Sequence, residues 1–163
     1  MDNALVINTI NLNEARKIID LFSKNNKNKK IVVFAKGNEF NRKILENSKV
    51  DVLVFSEFLG EKGKLKQRGS GLNQVLCKLA RDNEILIGVD ISVMEKMSSK
   101  QLSEHISRIR QDVKLCNKYK VKMILVNVVC KNVHDLQSFC LSVGMSTSMA
   151  KYATLNSFDV QNI

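Results

Sequence analysis

Residues 85–91, Ile85-Leu86-Ile87-Gly88-Val89-Asp90-Ile91, form an almost unbroken apolar run rich in β-branched side chains. A strand with one wet face alternates polar and apolar residues. A strand apolar at nearly every position is covered on both faces. Four further runs have the same character: Ala4–Ile10, Ile31–Ala35, Val50–Phe55 and Val121–Val129. Segments with helical spacing lie between them. Leu12, Ala15, Ile18, Ile19 and Phe22 make the first, with Asn11 as its cap and Glu14 placed to reach back to it. Phe40, Ile44 and Leu45 make a short second helix after Gly37-Asn38. Leu72, Val75, Leu76, Leu79 and Ala80 mark a third. After residue 91, Ser98 and Ser99 cap a long helix whose inner stripe reads Leu102, Ile106, Ile109, Val113 and Cys116. Asn132 caps a helix carrying Leu136, Phe139, Cys140 and Val143, and Gly144 ends it. A last helix spans about Thr147 to Ala153, and Ser157 to Val160 add a short terminal strand.

Strand and helix therefore alternate throughout, which gives a parallel sheet with helical crossovers. Five or six units fall short of the eight in a closed (β/α)8 barrel. Periodicity leaves two arrangements open, a doubly wound sheet and an incomplete barrel. No Pro- or Ser-rich linker divides the chain, so residues 1–163 read as one α/β domain.

The 163 residues include 26 Lys and Arg against 16 Asp and Glu, a formal charge of +10. Such a balance attracts polyanions, nucleic acid first and an anionic membrane surface second. No run reaches the ~18 apolar residues of a membrane span. Met1 to Asn13 lack the basic start and cleavage site of a signal peptide, so the expected location is the cytosol. Cys77, Cys116, Cys130 and Cys140 lie far apart in apolar segments, which suits buried thiols in a reducing compartment better than a zinc site. His105 and His134 are too few for a multi-histidine metal centre.

The segment Lys62-Gly63-Lys64-Leu65-Lys66-Gln67-Arg68-Gly69-Ser70-Gly71 joins a strand to a helix, at the carboxyl edge where α/β proteins place function. Its cations and glycines, with the amides of the next helix start, suit a phosphate. Gly69-Ser70-Gly71 is not a dinucleotide turn, because Gln74 takes the place of the last glycine, and no P-loop sequence is present. A second basic series, Arg108, Arg110, Lys114, Lys118, Lys120 and Lys122, runs along the long helix and its exit. Arg110, Lys114 and Lys118 are four apart and share a face. Their mutual repulsion costs helix stability that a bound phosphate backbone would relieve. Aromatics are few and Trp is absent, so backbone-directed, salt-sensitive binding fits better than base stacking. Lys36 at the end of the second strand could form a Schiff base. Asp51, Asp90 and Asp135 could hold a divalent ion if they converged, and Asp90 could instead pair with a neighbouring lysine or arginine. These features define the competing reading, a small barrel-type enzyme such as a lysine-dependent aldolase or a phosphoesterase-like protein.

The residues from Ser70 to Ala80, SGLNQVLCKLA, resemble a signature of the archaeal ribonuclease P protein component 3 family, the counterpart of the thirty-kilodalton protein of the human enzyme. The resemblance continues through Asn83 to Gly88 and is strong again from Arg108 to Val121. It persists at Asp135-Leu136 and Val143-Gly144-Met145, so that it covers the chain from near Lys66 to Ala153. It implies an α/β, TIM-barrel-like fold related to metal-dependent phosphoesterases but without their metal centre, here an incomplete barrel of five or six strands. It implies a non-catalytic subunit of ribonuclease P that binds and stabilises the catalytic RNA for 5′ maturation of precursor tRNA. On that reading the protein binds no cofactor, and Mg²⁺ sits on the RNA. The implied partners are the ribonuclease P RNA, precursor tRNA and a smaller ferredoxin-like protein subunit, with a dimer of such heterodimers as a further possibility. Combined with the charge pattern, the expected RNA contacts are Lys64, Lys66, Arg68, Lys78, Arg108, Arg110, Lys114, Lys120, Lys122 and Lys131. Two departures stand out. Gln74 replaces the histidine of the family's G-x-[DN]-H-V-L pattern. The chain also begins late relative to the family, which predicts a gapped barrel whose open edge a partner or second copy should cover.

Overall fold

The computed structural model describes residues 4–25, 29–55, 69–128 and 132–160. The elements are β1 (Ala4–Ile7), α1 (Leu12–Asn25), β2 (Lys30–Phe34), α2 (Asn38–Leu45), β3 (Val52–Phe55), α3 (Gln74–Asp82), β4 (Leu86–Asp90), a 3-10 turn (Ser92–Lys96), α4 (Ser99–Tyr119), β5 (Met123–Val126), α5 (Val133–Ser142) and α6 (Thr147–Leu155). All five strands are parallel, in the order β1-β2-β3-β4-β5.

That order separates the two arrangements the sequence left open. A doubly wound sheet reverses its strand order at a switch point and so places helices on both faces. Here the order never reverses. Successive right-handed crossovers then lay every helix on the same face. The core divides accordingly. Ile7, Ile31, Val33, Leu53, Phe55, Ile87, Val89, Met123 and Leu125 form one face of the sheet and pack with the buried residues of α1 to α5. Val32, Phe34, Val52, Val54, Ile124 and Val126 form the other, against Val160 with Tyr152 and Phe158 beside them. A sheet wrapped by helices on one side only, its second face packed on itself, is the arrangement of part of a β/α barrel.

Gly88, on β4, faces that second cluster. A Cβ there would stand 2.9 Å from Val54 Cγ2, 3.1 Å from Val126 Cγ2 and 3.2 Å from Val52 Cγ1. The glycine lets these three valines close over the strand.

The terminal strand shrinks to a single parallel bridge between Val126 and Phe158, so the sheet has five strands and the stub of a sixth among the described residues. Most capping expectations hold. Asn132 accepts from the His134 amide, and Ser98 with Gln101 forms a capping box on α4. Asn73, not among the expected caps, accepts from the Val75 and Leu76 amides. Gly144 follows α5 with φ of 99°, a value glycine takes without strain. Two local expectations need correction. Glu14 does not reach back to the Asn11 backbone. Its carboxylate accepts the Thr9 hydroxyl at 2.6 Å, while Asn11 Oδ1 accepts the amides of Asn13 and Glu14. The buried stripe of α4 is rotated from the apolar one: His105, Ile109, Asp112, Val113 and Cys116 are buried, and Leu102 and Ile106 only half-buried.

No helix of the described residues is long and apolar enough to cross a membrane.

Candidate nucleic-acid interface

The carboxyl edge of β4 and β5 is the place where a barrel enzyme would present its carboxylates. Asp90, the last residue of β4, is 4% exposed. Its Oδ1 accepts the Ser92 amide at 3.0 Å and the Ser92 hydroxyl at 2.7 Å, and its Oδ2 accepts Asn127 Nδ2 at 3.0 Å. It is therefore tied to Ser92 and Asn127, and not to a lysine or arginine, one of the two alternatives for it. Asn127 stands just past β5 with φ of 54°, a left-handed conformation that asparagine tolerates. Its amide N–H donates to the Phe158 carbonyl and its Oδ1 accepts the Val160 amide at 2.7 Å. One side chain thus fastens Asp90 and the chain after α6 to the same edge. Replacing Asn127 by Ala removes two part-buried side-chain bonds and leaves an alanine at positive φ. The expected cost is about 2 kcal/mol, read as a lower urea midpoint at unchanged slope. An unchanged midpoint would show that the edge is held some other way.

Asp51 lies at the opposite end of its strand, where Oδ2 accepts the Ile31 amide at 2.7 Å. Asp51 and Asp90 do not converge, and no group of three or more His, Cys, Asp or Glu placed to hold a metal occurs among the described residues. Lys36 is half-buried at the β2–α2 turn, where its backbone N–H donates to the buried Asn41 at 2.7 Å. Cys77, Cys116 and Cys140 are free and buried, as expected, while Cys130 lies outside the described residues. Cys77 and Cys116 touch across the α3–α4 seam. That contact, with burial added, pushes the Cys116 thiol well up.

Beside them α4 buries two titratable groups that its apolar pattern concealed. Asp112 is 4% exposed, its Oδ1 has no hydrogen-bond partner, and burial raises its pKa to about 7 against the opposing pull of the Ser70 hydroxyl and Arg108. His105 is 6% exposed with Nε2 unpartnered. Burial, helped by Arg108, lowers its pKa, and Asp90 opposes this. The sequence signal was available: His105, Ile109, Asp112 and Cys116 recur at helical spacing, but polar residues do not register in a search for apolar ones.

The basic residues are spread over four places. Lys78 is exposed on α3. Arg108 is half-buried on the side of α4 near Ser70, between Glu104 and Asp112, and burial lowers its pKa. Arg110 and Lys114 are exposed on the outer side of α4, where Arg110 Nη2 also donates to the Ser142 carbonyl at the end of α5, at 3.2 Å. Lys120 ends α4 in a left-handed conformation, and Lys122 precedes β5 with its ammonium 5.2 Å from the Tyr152 ring. Lys64, Lys66, Arg68 and Lys131 lie outside the described residues. Lys118, part of the basic series but not among the expected contacts, joins Arg110 and Lys114 on the outer ridge. Gln74 opens α3 and its Oε1 accepts the Tyr119 hydroxyl at 3.1 Å, so the position that departs from the family pattern links α3 to α4.

The outer row of α4 is set differently from the cations that form ion pairs. Arg42 and Lys43 pair with Glu46, Lys49 with Asp20, and Arg81 with Asp82. Arg110, Lys114 and Lys118 have no acidic residue three or four positions away on the helix. The result is a concentrated positive field along one helix.

Comparison with known proteins then places the chain. It is 31% identical over 110 residues to ribonuclease P protein component 3 of Methanosarcina barkeri, covering 67% of this chain and 43% of that protein. The corresponding protein of Methanosarcina mazei is 29% identical over 108 residues, 66% of this chain and 41% of the relative. This chain is related to the archaeal ribonuclease P protein component 3 proteins. The match to component 3 of Methanococcus vannielii is longer, 125 residues at 27% identity, 76% of this chain and 49% of the relative. The chain thus spans less than half the length of these component 3 relatives. The fold agrees. A chain of an archaeal ribonuclease P solved by cryo-EM with mature tRNA superposes with a TM-score of 0.75 at 21% identity, covering 93% of this chain and 64% of that one. No family model matches the chain.

Proposed function

We propose that this chain serves as a protein subunit of ribonuclease P, binding and stabilising the RNA that matures the 5′ end of precursor tRNA. The observation that carries this reading is the similarity to component 3 proteins over two thirds of the chain, on a fold shared with an archaeal ribonuclease P chain. The chemistry of the described residues supports it. The carboxylate at the strand edge, Asp90, is committed to Ser92 and Asn127. Arg110, Lys114 and Lys118 put three positive charges in a row along the outer side of α4. A protein that neutralises crowded phosphates lets an RNA fold with fewer bound cations, and catalysis stays with the RNA and its Mg²⁺. The same reading extends to precursor tRNA and to a smaller ferredoxin-like protein as partners. The contacts are drawn from Lys64, Lys66, Arg68, Lys78, Arg108, Arg110, Lys114, Lys120, Lys122 and Lys131.

Affinity purification of the tagged chain from its native cells, with sequencing of the retained RNA, tests the role. The expected result is enrichment of the ribonuclease P RNA that weakens steeply as salt is raised. Retention of no such RNA at low salt would reject it.

A further inference from the structure

The geometry points to a double-helical RNA element as the surface that α4 binds, recognised by backbone shape and not by base sequence. This inference rests on the RNA-binding role proposed above and adds the class of RNA and the face that meets it. The outer side of α4 carries two adjacent rows at helical spacing, Arg110–Lys114–Lys118, all exposed, and Ser103–Ser107–Gln111, of which Ser103 is exposed and Ser107 and Gln111 are half-buried. The cations of the first row are exposed and repeat every ~6 Å along the helix, from a rise of ~1.5 Å per residue. Each intramolecular like-charge pair costs a few tenths of a kcal/mol in an isolated helix, a repulsion that a bound phosphate backbone would relieve. The second row is neutral and rich in hydrogen-bonding groups. Charge beside neutral donors and acceptors matches a sugar-phosphate backbone that offers phosphates beside 2′-hydroxyls, the features read across the shallow groove of an RNA duplex.

Single-stranded RNA asks for something else, aromatic faces on which bases stack. Among the described residues, the aromatic rings against the basic residues are engaged within the protein. Tyr119 donates to Gln74 and lies 5.5 Å from the Lys118 ammonium, Tyr152 lies under Lys122, and Phe158 under Lys30. Arg110 spends one Nη2 bond on the Ser142 carbonyl, and a guanidinium keeps further donors for a phosphate.

The test measures binding of the full chain to a blunt RNA duplex of ~16 base pairs, to either strand alone, and to a DNA duplex of the same sequence, over a salt series. The duplex RNA is expected to bind at least about tenfold more tightly than either single strand. The double variant K114Q/K118Q should lower the slope of log affinity against log salt by nearly 2, since each phosphate contact contributes ~0.9. K114R/K118R should keep it. S107A/Q111A should bring affinity for the RNA duplex down toward that for the DNA duplex. Lys114 and Lys118 are exposed and Ser107 and Gln111 half-buried, none in the core, so far-UV circular dichroism should be unchanged. Equal or tighter binding of single strands, or a salt slope unmoved by K114Q/K118Q, would overturn the proposal. If the native ribonuclease P RNA is still retained in that case, the role survives and the face is wrong. If neither duplex nor native RNA is retained, both fall.

Discussion

Gly88→Val should be the most damaging single substitution in the described part of the chain. The cause is the close approach on the second face of the sheet. A Cβ at position 88 would come to 2.9 Å from Val54 Cγ2 and little farther from Val126 and Val52, and all three valines are fully buried. Valine is stiff at χ1, so none of them can swing aside without leaving its rotamer. The register fixes them, because Val54 and Ile124 pair directly with Gly88 on either side. Overpacking a tight core costs about 1–3 kcal/mol for a small insertion and more for a branched one. Gly88→Ala should therefore lower the thermal midpoint by roughly 3–10 °C, at ~2–4 °C per kcal/mol for a chain of this size, and Gly88→Val by more. The sign is informative. Replacing glycine by alanine normally stabilises by restricting the unfolded chain, by about 0.4–1 kcal/mol where the native backbone permits it. A Gly88→Ala midpoint equal to or above that of the parent would mean that the valines do not close over β4 in this way.

Asp112→Asn should make the protein more stable at neutral and alkaline pH, and the gain should vanish in acid. The carboxyl is buried, one oxygen is unpartnered, and its pKa is raised to about 7. Its value in the unfolded chain is about 3.9. The folded state thus binds the proton more tightly than the unfolded state does. Stability contributed by this group is fully present below about pH 4, falls as pH rises toward 7, and is flat above. The gap between the folded and unfolded values sets a ceiling of about 4 kcal/mol on the loss. Asparagine has nearly the same shape and never ionises. It should remove this slope and recover part of that free energy at pH 8. His105 acts in the opposite direction. Its lowered pKa means that folding resists protonation, and stability drains as pH falls below about 6.5. The two slopes oppose each other between pH 4 and 6.5. The difference between parent and Asp112→Asn, taken at each pH by urea denaturation, cancels the histidine and isolates the aspartate. A difference that does not change between pH 4 and 8 would show that Asp112 is not a buried titrating carboxyl.

Much of this could be read without coordinates, for a local reason. Apolar runs, helical spacing and caps are properties of neighbouring residues. They located the five strands, the capping residues Ser98 and Asn132, and the glycine after α5. The basic series on α4 was equally plain, since residues four apart on a helix share a face whatever packs behind them. The Glu14 expectation failed because a nearer partner, the Thr9 hydroxyl, won the carboxylate. The buried face of α4 was misplaced because Asp112 and His105 are polar. Their surroundings come from elements distant in sequence, Ser70 beside Asp112 and the charge of Asp90 acting on His105.

The choice between a doubly wound sheet and part of a barrel belonged wholly to the tertiary structure. Every strand is apolar on both faces in either case, so the amino acids carry the same signal, and only the unreversed strand order decides. The commitment of Asp90 likewise depended on where residues 37 positions away come to lie. By itself the sequence determined which segments fold locally, where positive charge accumulates, and which family the chain resembles. The fold alone decided which of those charges stand together on an open ridge and which polar groups are shut away from water. Periodicity is written along the chain, whereas burial and convergence arise only when separate segments meet.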